Sequence, residues 1–227
     1  MHIPDGLMDP LVAGAGWLVA LIVFTFVIKI VNKRVEEAWL PLMAVLAAGI
    51  FVAQMLNFPI GGGTTGHLVG AALASILLGP WAGMVVMSVI LVIQCLLFGD
   101  GGVIALGLNF VNMGLIGCLT GYYVWRFFPR RYHLAGVFAA SWLAVFMGAF
   151  ACSLELVLSY ALSGGVYGIA PQLAIPAMTL YHAVIGVGEA LITVGVLSFL
   201  AQVAPEVLVS RRAVAQLVQE ARVNGDC

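Results

Sequence analysis

Seven apolar runs, with the chain's cations gathered at alternate ends of them, limit what this sequence can fold into. The runs cover about 10–31, 40–57, 66–78, 81–98, 103–127, 134–160 and 173–203. A helix needs about 20 predominantly apolar residues to cross a bilayer. The third and fourth runs are short and are parted by Gly79-Pro80. A proline inside a helix removes a backbone hydrogen bond, so a turn is expected there. All nine Lys and Arg fall into three clusters: Lys29, Lys33 and Arg34; Arg126, Arg130 and Arg131; Arg211, Arg212 and Arg222. Residues 1–9, 58–65, 99–102 and 161–172 contain none. With seven spans and an outside N-terminus every cluster faces the cytoplasm, as the bias of inner loops toward cations requires.

Composition agrees. Apolar residues make up 63 % of the chain and charged residues 8 %, against roughly 25 % charged in an ordinary soluble domain. Lipid is the solvent that tolerates so few charges, and continuous apolar runs without alternation point to helices rather than a barrel. The reading is an all-α integral membrane protein of the inner or cytoplasmic membrane, with seven transmembrane helices, N-out and C-in. A net charge of −1 excludes a nucleic-acid binder, which needs a basic face. Four cysteines without C-x-x-C spacing make neither a zinc ribbon nor a disulfide framework.

Residues 1–204 are expected to form the membrane domain, and residues 205–227 a cytoplasmic tail. Val207, Val214, Leu217, Val218 and Ala221 recur in that tail at helical intervals, the pattern of an amphipathic surface helix. The start lacks the basic region of a signal peptide, and His2 is too bulky for ordinary trimming of Met1, so Met1 is expected to remain.

The polar residues are few enough to weigh singly. The phosphate loop G-x-x-x-x-G-K-[ST] is missing, so no ATP hydrolysis by that route is expected. No G-x-S-x-G elbow surrounds Ser153 or Ser159, which leaves an intramembrane hydrolase built on them and His182 without its motif. Met1-His2 is more informative. The α-amino group, the deprotonated backbone nitrogen of His2 and its Nδ1 can close adjacent five- and six-membered rings on one metal ion, held in a plane by the planar peptide. One equatorial position stays open. His67, after Gly61-Gly62-Gly63-Thr64-Thr65-Gly66 on the same outer side, is the candidate to fill it. Four nitrogens in a plane favour Ni(II) or Cu(II).

Several motifs resemble one family. Met-His-Ile-Pro-Asp-Gly at residues 1–6, Gly-Gly-Thr-Thr-Gly-His ending at His67, Leu-Gly-Pro-Trp at 78–81, Leu-Leu-Phe-Gly-Asp-Gly-Gly at 96–102 and Gly-Leu-Asn-Phe-Val-Asn-Met at 107–113 are similar to the substrate-capture subunit of energy-coupling-factor cobalt/nickel importers, the CbiM/NikM family. That resemblance implies an N-terminus folded into the helix bundle, where Met1, His2 and His67 hold Ni²⁺ or Co²⁺ as transported substrate. It implies partners too: a transmembrane coupling subunit, paired ABC-type ATPase subunits and a small accessory membrane protein. The capture subunit is not an enzyme. The Ile-Pro-Asp-Gly start resembles the nickel branch, whereas cobalt relatives tend to read Ile-Met-Glu-Gly.

Asn57, Thr64, Thr65, Asn109 and Asn112 are candidates to orient the imidazoles, or simply to join helices by hydrogen bonds. Glu155, Glu189 and His182, inside predicted spans, support an alternative, a proton-coupled secondary divalent-metal transporter. Asp5, Asp9 and Asp100 could draw cations to the outer mouth, and Asp100 could instead cap the turn before the fifth run. Gly66-x-x-x-Gly70 and Gly117-x-x-x-Gly121 are helix-contact signals, within the chain or toward a partner.

Overall fold

The computed structural model describes residues 1–61, 64–205 and 207, and the tail predicted at 205–227 lies almost wholly outside them. The chain is mostly helical. Five helices are long and apolar enough to cross a membrane: α1 (Pro10–Arg34), α2 (Leu40–Gln54, with a preceding turn from Glu37), α4 (Pro80–Ile93, continuing to Phe98), α7 (His133–Leu162) and α8 (Pro171–Val203). They face outward with Leu, Val, Ile and Phe, many more than half exposed, as lipid-facing surfaces do.

The fifth run is helical in three pieces: α5 (Leu106–Asn109), a wide π-type turn (Phe110–Ile116) and α6 (Gly117–Phe127). Asn109 and Asn112, both buried, sit at this widened stretch. Such turns break the regular ladder and re-aim side chains.

The third run departs from expectation. Its helix, α3, is only Ala71–Leu78, eight residues, which is about 12 Å at 1.5 Å per residue and far short of a bilayer core of ~30 Å. An antiparallel hairpin precedes it, β1 (Phe58–Ile60) pairing with β2 (Thr64–Gly66), where no strand was expected. The physical reason is enclosure. Seven of the eight α3 residues are buried, so protein rather than lipid surrounds it and it need not span the bilayer. Gly79-Pro80 makes the expected turn, with Gly79 at φ +80°.

Helix α3 packs on α4, α6 and α7. The Gly117–Gly121 signal resolves as a contact within the chain. A Cβ on Gly117 would stand 2.8 Å from the Cβ of Ala71, and one on Gly121 would stand 2.7 Å from the Cα of Ala72. Gly70, at φ +76°, starts α3 in the left-handed region, where only glycine is free of steric cost.

Helix α1 begins beside the N-terminal segment and runs about 37 Å to Lys33 and Arg34 in its last turn. There Arg34 shares a cavity with the 78–82 turn and Arg126. Two of the three cation clusters therefore lie at one end of the bundle, away from residue 1.

Candidate metal centre

The first nine residues have no regular secondary structure, yet Met1, His2 and Ile3 are at most 2 % exposed. Their anchoring explains how a chain end can be buried. Ile3 N–H donates to Asn109 Oδ1 at 2.9 Å and Asn109 Nδ2 donates back to the Ile3 carbonyl at 3.2 Å. Gly102 N–H reaches the same carbonyl at 2.9 Å. Asp5 Oδ2 and Oδ1 accept from the backbones of Val103 and Ile104, Leu7 O accepts from Gly168 N–H, and Asp9 N–H donates to Ser159 Oγ. The segment is thus tied down by backbone and side-chain hydrogen bonds from several segments, as burial of its backbone groups demands. The His2 nitrogen takes no part in those bonds.

At the inner end of this strap the Met1 amine donates to the Thr65 carbonyl, on the hairpin that precedes His67. The Met1 side chain packs on Gly148 of α7. The rings of His2 and His67 stack, 4.5 Å between centroids and 19° between planes. His67 Nδ1 lies 2.6 Å from the Leu68 carbonyl; a carbonyl only accepts, so the proton is on Nδ1 and the lone pair on Nε2. That Nε2 is buried without a partner, as is Nε2 of His2. His2 Nδ1 lies 2.9 Å from Asp100 Oδ1 but without a properly aligned hydrogen bond.

Burial sets the protonation of the groups at this end of the strap. Burial pushes the Met1 amine down to about 5, against the opposing pull of Cys152 and Asp100, so it is neutral at pH 7. Burial likewise lowers the His2 imidazole, although Asp100 works the other way. For Asp100, burial alone would raise the carboxyl, but the His2 and Asn57 side chains outweigh it and hold it below the usual range. Two imidazoles bound side by side on one ion at about 2 Å per bond would have centroids roughly 4–5 Å apart, and the observed spacing lies in that range.

The candidate neighbours divide. Asn57 Nδ2 holds Asp100 Oδ2 at 2.9 Å and so stands behind His2. Thr65 contributes its carbonyl. Thr64 Oγ1 donates to Met178 Sδ at 3.0 Å, which fixes the hairpin to α8. Asn109 orients the Ile3 backbone rather than an imidazole, and Asn112 Nδ2 donates to Glu155 Oε2 at 2.7 Å. Of the three outer aspartates, Asp5 caps the 103–104 turn and Asp9 caps α1, while Asp100, expected as a possible turn cap, sits on His2.

Two residues take roles that sequence reasoning did not assign: Glu189 was named only for a proton-coupled carrier, and Gln94 was not named. Glu189 of α8 accepts from Val69 N–H at 2.7 Å and Gly70 N–H at 2.6 Å, capping α3 two residues beyond His67. Gln94, buried beside His2, has amide nitrogen and oxygen both unpartnered. A polar residue inside an apolar run was the available signal for both. The hydrolase arrangement is not assembled: Ser153 Oγ donates to the Phe150 carbonyl, and His182 Nδ1 engages the Met178 carbonyl at 2.8 Å.

A family model described as the cobalt uptake substrate-specific transmembrane region, CbiM, matches residues 2–207. The chain belongs to the CbiM family. Among CbiM relatives, a protein of Archaeoglobus fulgidus assigned as a fused nickel transport protein, NikMN, is 39 % identical over 96 % of this chain and 71 % of its own length. The fused nickel transport protein NikMN of Rhodobacter capsulatus is 37 % identical over 95 % of this chain and 66 % of its own. A crystal structure of a truncated transition metal transporter superposes with a TM-score of 0.79 at 36 % identity, covering 89 % of this chain and 99 % of that one. This CbiM-family chain is accordingly a multi-pass membrane protein of a transport family.

Proposed function

We propose that this chain captures Ni²⁺ from the outer side of the cytoplasmic membrane as the substrate-specific subunit of an ATP-driven energy-coupling-factor importer. The observation that carries the reading is the convergence, in a buried site, of the Met1 amine with the unpartnered Nε2 of His67 and the unhydrogen-bonded Nδ1 of His2. The donor set is Met1 N, the backbone nitrogen and Nδ1 of His2, and Nε2 of His67. Binding releases the proton of the His2 peptide N–H, and the imidazole proton then resides on His2 Nε2, where Gln94 is at hand to accept it. Planar nitrogen coordination favours Ni²⁺ over the harder ions, and the family includes nickel transport proteins at 37 and 39 % identity; Co²⁺ is the competing substrate.

The topology that accompanies this reading has seven membrane segments, N-out and C-in, with α3 entering as a half-length segment. ATP hydrolysis belongs to partner ATPases working through a transmembrane coupling subunit, with a small accessory membrane protein alongside.

Calorimetric titration of the purified protein with Ni²⁺ and Co²⁺ tests the site, comparing the native chain with one extended by a residue ahead of Met1. The extension removes the primary amine and leaves every side chain in place. Tight binding, Ni²⁺ above Co²⁺, that is lost on extension supports the reading; equal affinity for the extended chain overturns the coordination.

A further inference from the structure

Above the His2–His67 pair lies a cavity of about 360 Å³, walled by His2, Pro4, the β1–β2 hairpin and the 99–101 turn. Among its described lining residues Asp100 supplies the one carboxylate. That carboxylate is 11 % exposed and bridges two groups: Oδ2 accepts from Asn57 Nδ2 at 2.9 Å, and Oδ1 lies 2.9 Å from His2 Nδ1. Asp5 and Asp9 are already committed to backbone N–H groups. A cation approaching through this cavity therefore meets a fixed negative charge in direct contact with a ligand nitrogen.

We propose that Asp100 is the docking group for the arriving divalent cation and passes it to Nδ1 of His2. The inference rests on the metal-capture reading above. A hard carboxylate oxygen binds a hydrated transition-metal ion readily and releases it to nitrogen donors, which such ions prefer. Asn57 keeps the carboxylate aimed, so the ion arrives beside Nδ1 rather than anywhere along the rim. The charge has a second use. With the His2 peptide nitrogen deprotonated, a divalent ion and its four nitrogens carry a net +1, and Asp100 cancels it in a site where an uncompensated charge is costly. The remaining three donors then close as water leaves.

Stopped-flow mixing of the detergent-purified protein with Ni²⁺, followed by the absorption of the bound ion, tests this. Asp100→Asn, which keeps the shape and the acceptor for Asn57, is expected to slow association by about 10-fold or more and to flatten its dependence on ionic strength, as loss of steering charge does. The absorption band of the bound ion stays unchanged, because Asp100 is not a final ligand, and Asp100→Glu recovers most of the rate. An Asp100→Asn association rate within twofold of native overturns the proposal, as does a shifted band. If that variant does not fold, the native protein still decides: association that does not slow as salt is raised overturns it. Native protein that binds no Ni²⁺ at all would fail the capture reading itself, a separate result.

Discussion

Burial keeps the Met1 amine neutral, and a pH dependence follows from it. The Met1 amine titrates near 5 when inserted and near 8 when the segment is free. Insertion of the metal-free N-terminus is therefore fully favoured above pH 8. It loses about 1.4 kcal/mol per pH unit as pH falls from 8 toward 5. The protection factor of the Ile3 amide, its exchange rate corrected for the intrinsic pH dependence, should fall about tenfold per pH unit across that window, and a constant protection factor would contradict the buried amine. The same neutrality predicts the proton count of capture. At pH 8 imidazoles are neutral and the inserted amine already is, so the peptide N–H of His2 is left as the source and one proton should be released per Ni²⁺. Titration in buffers of different ionisation enthalpy counts it. Replacing His67 by Ala should weaken Ni²⁺ binding about 100-fold or more, the size of effect that even supporting residues of metal sites produce.

Elements hold these residues in place through a few long-range polar contacts. Asn109, at the widening between α5 and α6, grips both backbone groups of Ile3. Asn109→Ala leaves a buried N–H without its acceptor, at a cost of about 1–3 kcal/mol. If capture needs the docked strap, Ni²⁺ affinity should drop by up to roughly 150-fold, in proportion to the fraction of strap left undocked, and calorimetry on the variant reads this directly. Glu189 does for α3 what Asn109 does for the strap. Glu189→Gln retains one acceptor oxygen for two N–H donors and should expose the Val69 or Gly70 amide to exchange while lowering thermal stability. A variant with native protection at both amides would show that the cap is dispensable. Where α6 meets α3, Gly121→Ala places a methyl 2.7 Å from the Ala72 Cα, an overpacking that costs about 1–3 kcal/mol and should lower the melting temperature even in Ni²⁺.

At the scale of the whole molecule the proposed role predicts dependence on other chains. Liposomes holding this protein alone should take up no Ni²⁺, with or without a pH gradient. A proton-coupled carrier would accumulate it. Glu155, Glu189 and His182, the residues that alternative relies on, have structural partners in Asn112, in the backbone leading into α3 and in the Met178 carbonyl. The two ends of the bundle are chemically unlike: Asp100, His2 and the hairpin at one, Arg34 and Arg126 with the 78–82 turn at the other.

Much of the architecture could be read in one dimension because lipid is a uniform solvent. A run of apolar residues declares itself helical whatever it later touches, which is why α1, α2, α4, α7 and α8 match their runs closely. That Met1, His2 and His67 would come together was legible for a local reason: adjacent donors can form chelate rings by covalent geometry alone, and glycines beside His67 mark a close approach. Tertiary structure decided the rest. It shortened the third run to eight residues because neighbouring helices enclose it, and it chose Asp100 over Asp5 and Asp9 as the carboxylate on His2. It also set Glu189, 120 residues from Val69, beneath the start of α3. Those outcomes depend on which polar groups meet across the fold, and the partner of a buried hydrogen-bonding group is set by the packing of distant segments rather than by its neighbours in sequence.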